Sequence, residues 1–219
     1  MHQIFERIHK IGVVPVIQID DGGKAVPLVK AIAAGGIPCA EVTFRTAQAE
    51  EAIRLIALAL PDILLGAGTV LTTAQADKAI DAGARFIVTP GFNPKVVGHC
   101  VKQGYPVIPG CLTPSDMEQA IEFGLDAVKL FPAELSGGLD YIKAISAPYP
   151  MLRFMPFGGV NAANIGKYLS HEKVLACGGS WLAAADLIHA GDFTEITRLC
   201  AEAAQIVAAY RDARDNGAP

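Results

Sequence analysis

Three glycines set the frame of this chain. Gly83, Gly104 and Gly124 recur 21 and 20 residues apart, and each closes a stretch of helical pattern, Gln75–Ala82, Pro94–Gln103 and Ser115–Phe123 respectively. Glycine directly after a helix is the residue that takes the left-handed C-cap conformation at no steric cost. A short β-rich run follows each one: Phe86-Ile-Val-Thr, Pro106-Val-Ile-Pro and Ala127-Val-Lys-Leu. Asn93-Pro94 and Thr113-Pro114 restart the next helices, each placing a capping side chain before a proline at the first helical position.

Extending the unit along the chain predicts eight strands, near Val13–Ile19, Cys39–Phe44, Leu64–Val70, Phe86–Pro90, Pro106–Pro109, Ala127–Phe131, Arg153–Phe157 and Val174–Cys177. Helices occupy most of the gaps and a last one spans about Phe193 to Arg211. Strands alternating with helices in short units imply parallel strands with right-handed crossovers. The expected architecture is α/β, a single (β/α)₈ barrel domain over residues 1–219 with an extra N-terminal helix closing one end. A doubly wound open sheet is the rival, disfavoured because no GxGxxG follows the first strand. The polar tail, Asp212 to Pro219, is expected to fray.

Composition agrees with a sheet covered on both faces: 52% of the residues are hydrophobic and 18% charged. The formal net charge is −4 with basic residues scattered, so no stripe exists for nucleic acid or an anionic membrane. Although the mean hydropathy is +0.36, the longest apolar runs, Ile53–Leu60 and Val174–Ala185, are short or interrupted. A span needs roughly 20 apolar residues. Met1–Gly12 carries Glu6, Arg7, His9 and Lys10 and has no signal-peptide core. The five cysteines have no CxxC spacing and sit in apolar stretches, which reads as reduced, buried thiols of a cytoplasmic protein, with Cys111 as the one that could line a site. The five histidines show neither HxH nor HExxH spacing, so no metal is expected.

In such a barrel, active groups come from the C-terminal ends of the strands. Lys129 stands between strand-type apolar residues on both sides, where desolvating an ammonium is costly. A half-buried lysine near other cations has a depressed pKa and a free amine that can attack a carbonyl. The residues alone leave a structural Lys–carboxylate pair equally open. Glu41 also interrupts an apolar strand and could move the protons that imine chemistry requires. Arg45 and Thr69 could hold a substrate carboxylate, although taken singly they read as a surface arginine and a turn threonine. Gly158-Gly159 and Gly178-Gly179-Ser180 read as turns after the last two strands, with backbone N–H groups facing an anion such as phosphate.

Taken together, Glu41-Val-Thr-Phe-Arg-Thr46, Gly66-Ala-Gly-Thr-Val70, Val88-Thr-Pro-Gly91, Ile108-Pro-Gly-Cys-Leu-Thr-Pro-Ser115 and Lys129-Leu-Phe-Pro-Ala-Glu134 resemble the KHG/KDPG aldolases, in family order from about residue 5 to residue 205. The resemblance implies a class I, metal-free lyase without a cofactor, usually a homotrimer. It implies that Lys129 forms an imine with pyruvate, that Glu41 shuttles protons, and that Arg45 and Thr69 bind the pyruvyl carboxylate. Pro90 and Phe131 are implied as pocket walls, and Gly158, Gly159, Gly179 and Ser180 as the phosphate site. The implied reaction splits 2-dehydro-3-deoxy-6-phosphogluconate into pyruvate and glyceraldehyde 3-phosphate in the Entner–Doudoroff route; many members also cleave 4-hydroxy-2-oxoglutarate to pyruvate and glyoxylate. One position departs from the family pattern. Phe157 stands where a threonine is common, in Pro156-Phe-Gly-Gly-Val160, and it cannot hydrogen-bond a substrate hydroxyl. That leaves 4-hydroxy-2-oxoglutarate and the 6-phosphogalactonate epimer as alternative substrates. A phosphosugar-binding barrel with a merely structural Lys129 is the reading from a different class.

Overall fold

The computed structural model describes residues 2–215. Helix α1 (Gln3–Ile11) leads into strand β1 (Val13–Ile17), followed by α2 (Ala25–Ala34), β2 (Cys39–Thr43), α3 (Ala49–Ala59), β3 (Leu64–Gly68), α4 (Thr73–Asp81) and β4 (Phe86–Val88). The second half continues with α5 (Pro94–Gln103), β5 (Val107–Ile108), α6 (Pro114–Glu122), β6 (Ala127–Leu130), α7 (Gly138–Ser146), β7 (Arg153–Pro156), α8 (Ile165–Leu169), β8 (Cys177–Gly179), α9 (Ala185–Ala190) and α10 (Phe193–Asp215).

Six strands pair in parallel in the order β5-β4-β3-β2-β1-β8, and β6 pairs with β7 as a second ribbon. Short bridges join the two pieces into a closed ring. Gly110 pairs with Lys129 between β5 and β6, and Phe154 with Val174 and Phe157 with Gly178 between β7 and β8. The (β/α)₈ barrel expected from the repeat is the observed architecture.

The helix signals act as their chemistry requires. Asn93 accepts a hydrogen bond from the Lys95 amide at 3.0 Å, and Thr113 forms a capping box with Asp116. α1 sends Phe5 and Ile8 into the core, and Phe5 borders the same cleft as Pro106, Val107, Leu125 and Asp126 at the starts of β5 and β6. It therefore covers the N-terminal end of the barrel.

Two expectations need correction. The last helix continues through residues 212–215, where a frayed tail is expected; residues 216–219 lie outside the described residues. The eighth strand is Cys177–Gly179, displaced toward the C-terminus from the expected Val174–Cys177. Val174 still bridges to β7, but the ladder with β1 runs Val13↔Cys177, Val14↔Gly178 and Pro15↔Gly179. Glycine weakens a strand by ordinary propensity, so Gly178-Gly179 reads as a turn. Here the missing side chains make room for larger neighbours. A Cβ on Gly178 would lie 2.1 Å from the Phe157 ring, and one on Gly179 would lie 1.7 Å from the Trp181 ring.

The same device recurs within the barrel. A Cβ on Gly66 would lie 2.2 Å from the Phe86 ring, and one on Gly68 would lie 1.7 Å from Glu41 Oε1. Large side chains from one strand thus fill slots left by glycines on the next. This is how small barrels pack their interiors, and it is also how the polar groups described below are held.

Candidate active site

Lys129 and Glu41 are both buried in the barrel, with relative exposures of 6% and 1%. The Lys129 backbone is fixed from both sides: its N–H donates to Pro109 O and its carbonyl accepts from Cys111 N, both at 2.8 Å. Its Nζ lies 4.1 Å from the centroid of the Phe157 ring and 5.1 Å from that of Phe131. Glu41 sits in β2, in register with Val16 of β1 and Gly66 of β3. One of its carboxyl oxygens, Oε2, is buried with no hydrogen-bond partner. An unsatisfied buried carboxyl oxygen is costly in a structural role and available for a proton in a chemical one.

Burial pushes the Lys129 amine below the ordinary lysine range; the Glu41 charge opposes this and the Arg45 charge adds to it. Burial likewise pushes the Glu41 carboxyl up, with Lys129 and Arg45 pulling it back. Burial thus favours the uncharged form of each group, while the charge of each favours the charged form of the other. In its uncharged form the pair can add to a carbonyl and pass protons to and from the adduct.

Arg45 follows the end of β2, and its Nε donates to Thr69 Oγ1 at 3.1 Å. Thr69 follows β3 with φ of 54°, a left-handed conformation that a β-branched residue rarely adopts. That backbone places its hydroxyl beside the guanidinium. Arg45 also lines a cleft of about 460 Å³, together with Thr43, Gly159, Val160, Asn161, Ser180 and others. The cleft thus joins the carboxylate-binding candidate to two of the four phosphate-binding candidates.

The remaining candidates are placed differently. Gly179 is buried within β8, and its loop presents Ser180 and Trp181 to the cleft instead. Gly158 lies against Phe131, which is 38% exposed. Pro90 borders a separate cleft with Val70, Leu71 and Phe92, while its carbonyl packs on Gly110, the residue paired with Lys129. Phe157 is 4% exposed. The Cys111 thiol is buried, directed at Asp116 O at 3.6 Å, and raised out of the reactive range by desolvation. All five cysteines are buried.

Several contributors are missing from the sequence-based set. Thr43 is buried and lines the cleft while donating to Ile17 O at 3.2 Å. Asn161 and Asn164 both donate to the Gly159 carbonyl. Asn-x-x-Asn one residue after a Gly-Gly turn is a helix-start signal that was available in the sequence. Glu134 and Tyr168, hydrogen-bonded to each other across 34 positions, leave no local signal. Among the described residues, no three His, Cys, Asp or Glu side chains gather to hold a metal ion, and no helix is long and apolar enough to cross a membrane.

The sequence from residue 4 to residue 199 matches the model of the KDPG and KHG aldolases. The chain belongs to that family. Within the family it is 50% identical to a 2-dehydro-3-deoxy-phosphogluconate aldolase of Treponema pallidum, over 94% of this chain and 99% of that protein. Among solved structures it is similar to the KDPG aldolase of Legionella pneumophila, captured with pyruvate as a covalent carbinolamine intermediate, with a TM-score of 0.88 and 38% identity over 91% of this chain and 97% of that one. It is also similar to the 2-keto-3-deoxy-6-phosphogluconate aldolase of Zymomonas mobilis with 3-phosphoglycerate, with a TM-score of 0.85 and 37% identity over 91% and 94% of the two chains.

Proposed function

We propose that this chain is a class I aldolase that cleaves 2-dehydro-3-deoxy-6-phosphogluconate into pyruvate and glyceraldehyde 3-phosphate, with Lys129 as the nucleophile. The observation that carries the reading is the buried Lys129 amine, driven toward its neutral form in the same barrel interior as a Glu41 carboxyl with an unpartnered oxygen. The covalent pyruvate adduct of the Legionella relative supports it.

In this mechanism the Lys129 amine attacks C2 of the substrate and forms a carbinolamine. Glu41 protonates the departing hydroxyl, water leaves, and a protonated imine remains. The Glu41 carboxylate then takes the proton of the C4 hydroxyl. The C3–C4 bond breaks, its electron pair moves through C3 into the imine as an enamine, and the aldehyde departs. Return of the Glu41 proton to C3 and hydrolysis of the imine release pyruvate and restore both groups. The Phe157 and Phe131 rings, over Nζ at 4.1 and 5.1 Å, favour the cationic imine through their negative faces. Arg45 and Thr69 take the carboxylate at C1. Gly159 and Ser180, with their neighbouring loops, take the phosphate. Gly158, Pro90 and Phe131 shape the walls, and Gly179 makes room for Trp181.

Phe157 favours a second substrate class for the same chemistry. It provides neither a donor nor an acceptor beside Lys129, so 4-hydroxy-2-oxoglutarate and the galactonate epimer fall within reach of the same imine. The same reading carries one cytoplasmic barrel domain that assembles as a homotrimer; sedimentation equilibrium tests the assembly.

The deciding experiment is incubation with pyruvate and borohydride followed by peptide mass spectrometry. A reduced pyruvyl adduct on the Lys129 peptide, absent from Lys129→Ala, is the expected result. A folded protein without that adduct would instead be a phosphosugar-binding barrel.

A further inference from the structure

The turn after β7 is held from two sides, and the direction of each hold bears on the phosphate end of the substrate. The Gly158 carbonyl accepts a hydrogen bond from the Glu134 amide at 3.1 Å. The Gly159 carbonyl accepts from two side-chain amides, Asn161 Nδ2 at 3.1 Å and Asn164 Nδ2 at 3.0 Å. Asn164 is oriented in turn, because its Oδ1 accepts from the Asn161 amide at 2.8 Å. Behind the turn, the Glu134 side chain packs against Gly159, so that a Cβ there would lie 2.6 Å from Glu134 Cβ and Cγ. The buried Tyr168 hydroxyl donates to Glu134 Oε1 and clamps that side chain.

Peptide planarity converts these holds into a direction. Across a trans peptide the carbonyl and the next residue's N–H point opposite ways. Drawing the Gly158 carbonyl toward Glu134 therefore turns the Gly159 N–H away from it. Drawing the Gly159 carbonyl toward the two asparagines does the same for the Val160 N–H. Gly159 and Val160 both line the cleft that also holds Ser180. Among the described residues, neither amide donates to a backbone carbonyl. The φ angles of 89° at Gly158 and 85° at Gly159 make this path accessible only to glycine. Two successive unengaged amides beside a cleft are the donors that an anion-binding concavity requires.

We infer that Asn164, together with Tyr168 acting through Glu134, is a positioning residue for recognition of the substrate phosphate. Asn164 is not among the residues lining the cleft, so it acts through the turn: it fixes the Gly159 carbonyl and thereby the Val160 N–H. The inference rests on the phosphate assignment proposed above.

The test is Asn164→Ala, assayed with 2-dehydro-3-deoxy-6-phosphogluconate and with unphosphorylated 4-hydroxy-2-oxoglutarate, with inorganic phosphate as a competing probe. The expected result is a KM for the phosphorylated substrate raised about tenfold with kcat within about twofold, and a matching loss of inhibition by phosphate. KM for the unphosphorylated substrate should move less than twofold. Asn164→Asp, which keeps the acceptor for the Asn161 amide but sets a carboxylate against the Gly159 carbonyl, should raise the phosphorylated KM at least as far. Tyr168→Phe, which frees Glu134 but leaves both asparagines in place, should raise it about threefold, and it serves as the test if Asn164→Ala does not fold. Equal losses with both substrates, or an unchanged phosphorylated KM, would overturn the inference while leaving the aldolase intact. A wild-type enzyme that forms the pyruvate imine yet shows no inhibition by phosphate would overturn the phosphate assignment and this inference with it.

Discussion

The α-carbon of Gly68 lies against the carboxyl group of Glu41, so that a methyl group on it would sit 1.7 Å from Oε1 and 2.4 Å from Cδ. β2 and β3 are paired in register there, Thr43 opposite Gly68, and neither strand can give way without breaking the ladder. The position of the proposed proton carrier is therefore set by the absence of a side chain on its neighbour. Gly68→Ala should leave a folded barrel with Glu41 displaced by an ångström or more. A shift of that size costs on the order of 100-fold in rate. Steady-state kinetics and a melting curve check it; a kcat/KM within twofold of wild type would show that the chemistry does not depend on where Glu41 sits.

Thr69 carries a local cost for its place beside Arg45. A non-glycine residue at φ of 54° is disfavoured by about 1–2 kcal/mol. Thr69→Gly removes that strain, and after the greater chain entropy of glycine is set against it, unfolding free energy should rise by about 0.5 kcal/mol. The loss of the hydroxyl bonded to Arg45 at 3.1 Å should raise KM for the 2-keto acid about tenfold. A denaturant titration read together with KM tests whether stability and binding move in opposite directions.

The charge of Glu41 opposes the depression of the Lys129 pKa. Glu41→Gln removes a negative charge that favours the ammonium, so the amine should become free at still lower pH. Acylation of Lys129 by acetic anhydride, followed by peptide mass across a pH series, should show its half-rise below that of wild type. Turnover at neutral pH should fall about 100-fold or more for want of a proton carrier. A half-rise that stays in place or moves to higher pH would mean that no Glu41 charge holds the Lys129 ammonium.

The Phe157 ring occupies the slot over Gly178 and stands 4.1 Å from Lys129 Nζ. Phe157→Thr should restore a hydroxyl beside the reacting carbons. The ratio of kcat/KM between gluconate- and galactonate-configured substrates should widen from within about tenfold to about 100-fold, because a site built to bond a hydroxyl rejects its misplacement. The emptied slot should lower stability by about 2–4 kcal/mol. An unchanged ratio would remove Phe157 from substrate choice.

Most of the fold was legible because its signals are local. The helix–glycine–strand period, the Asn93-Pro94 and Thr113-Pro114 starts and the alternation of strand with helix each depend on a few adjacent residues, and seven of the eight strands follow from them. β8 was misplaced because Gly178-Gly179 reads locally as a turn, whereas its pairing with β1 and the Phe157 ring over Gly178 come from distant parts of the chain. The site divides in the same way. Lys129 and Glu41 were conspicuous as charges inside apolar strands, and Arg45 and Thr69 as polar residues just past strand ends. Tyr168 and Glu134 meet only after the barrel closes, and the role of Gly68 emerges only once its neighbouring strand is known.

The division of the barrel into two ribbons has a consequence for substrate length. β6 and β7 share four registered pairs, Ala127↔Arg153 through Leu130↔Pro156, and only isolated bridges join them to the strands on either side. Lys129 and the Gly158-Gly159 turn, the proposed imine and phosphate ends of the site, thus sit on one ribbon, in β6 and just past β7. With those roles, a chain with one carbon fewer or one more between its keto group and its phosphate should be cleaved more slowly than 2-dehydro-3-deoxy-6-phosphogluconate, because both ends are held by the same pair of strands.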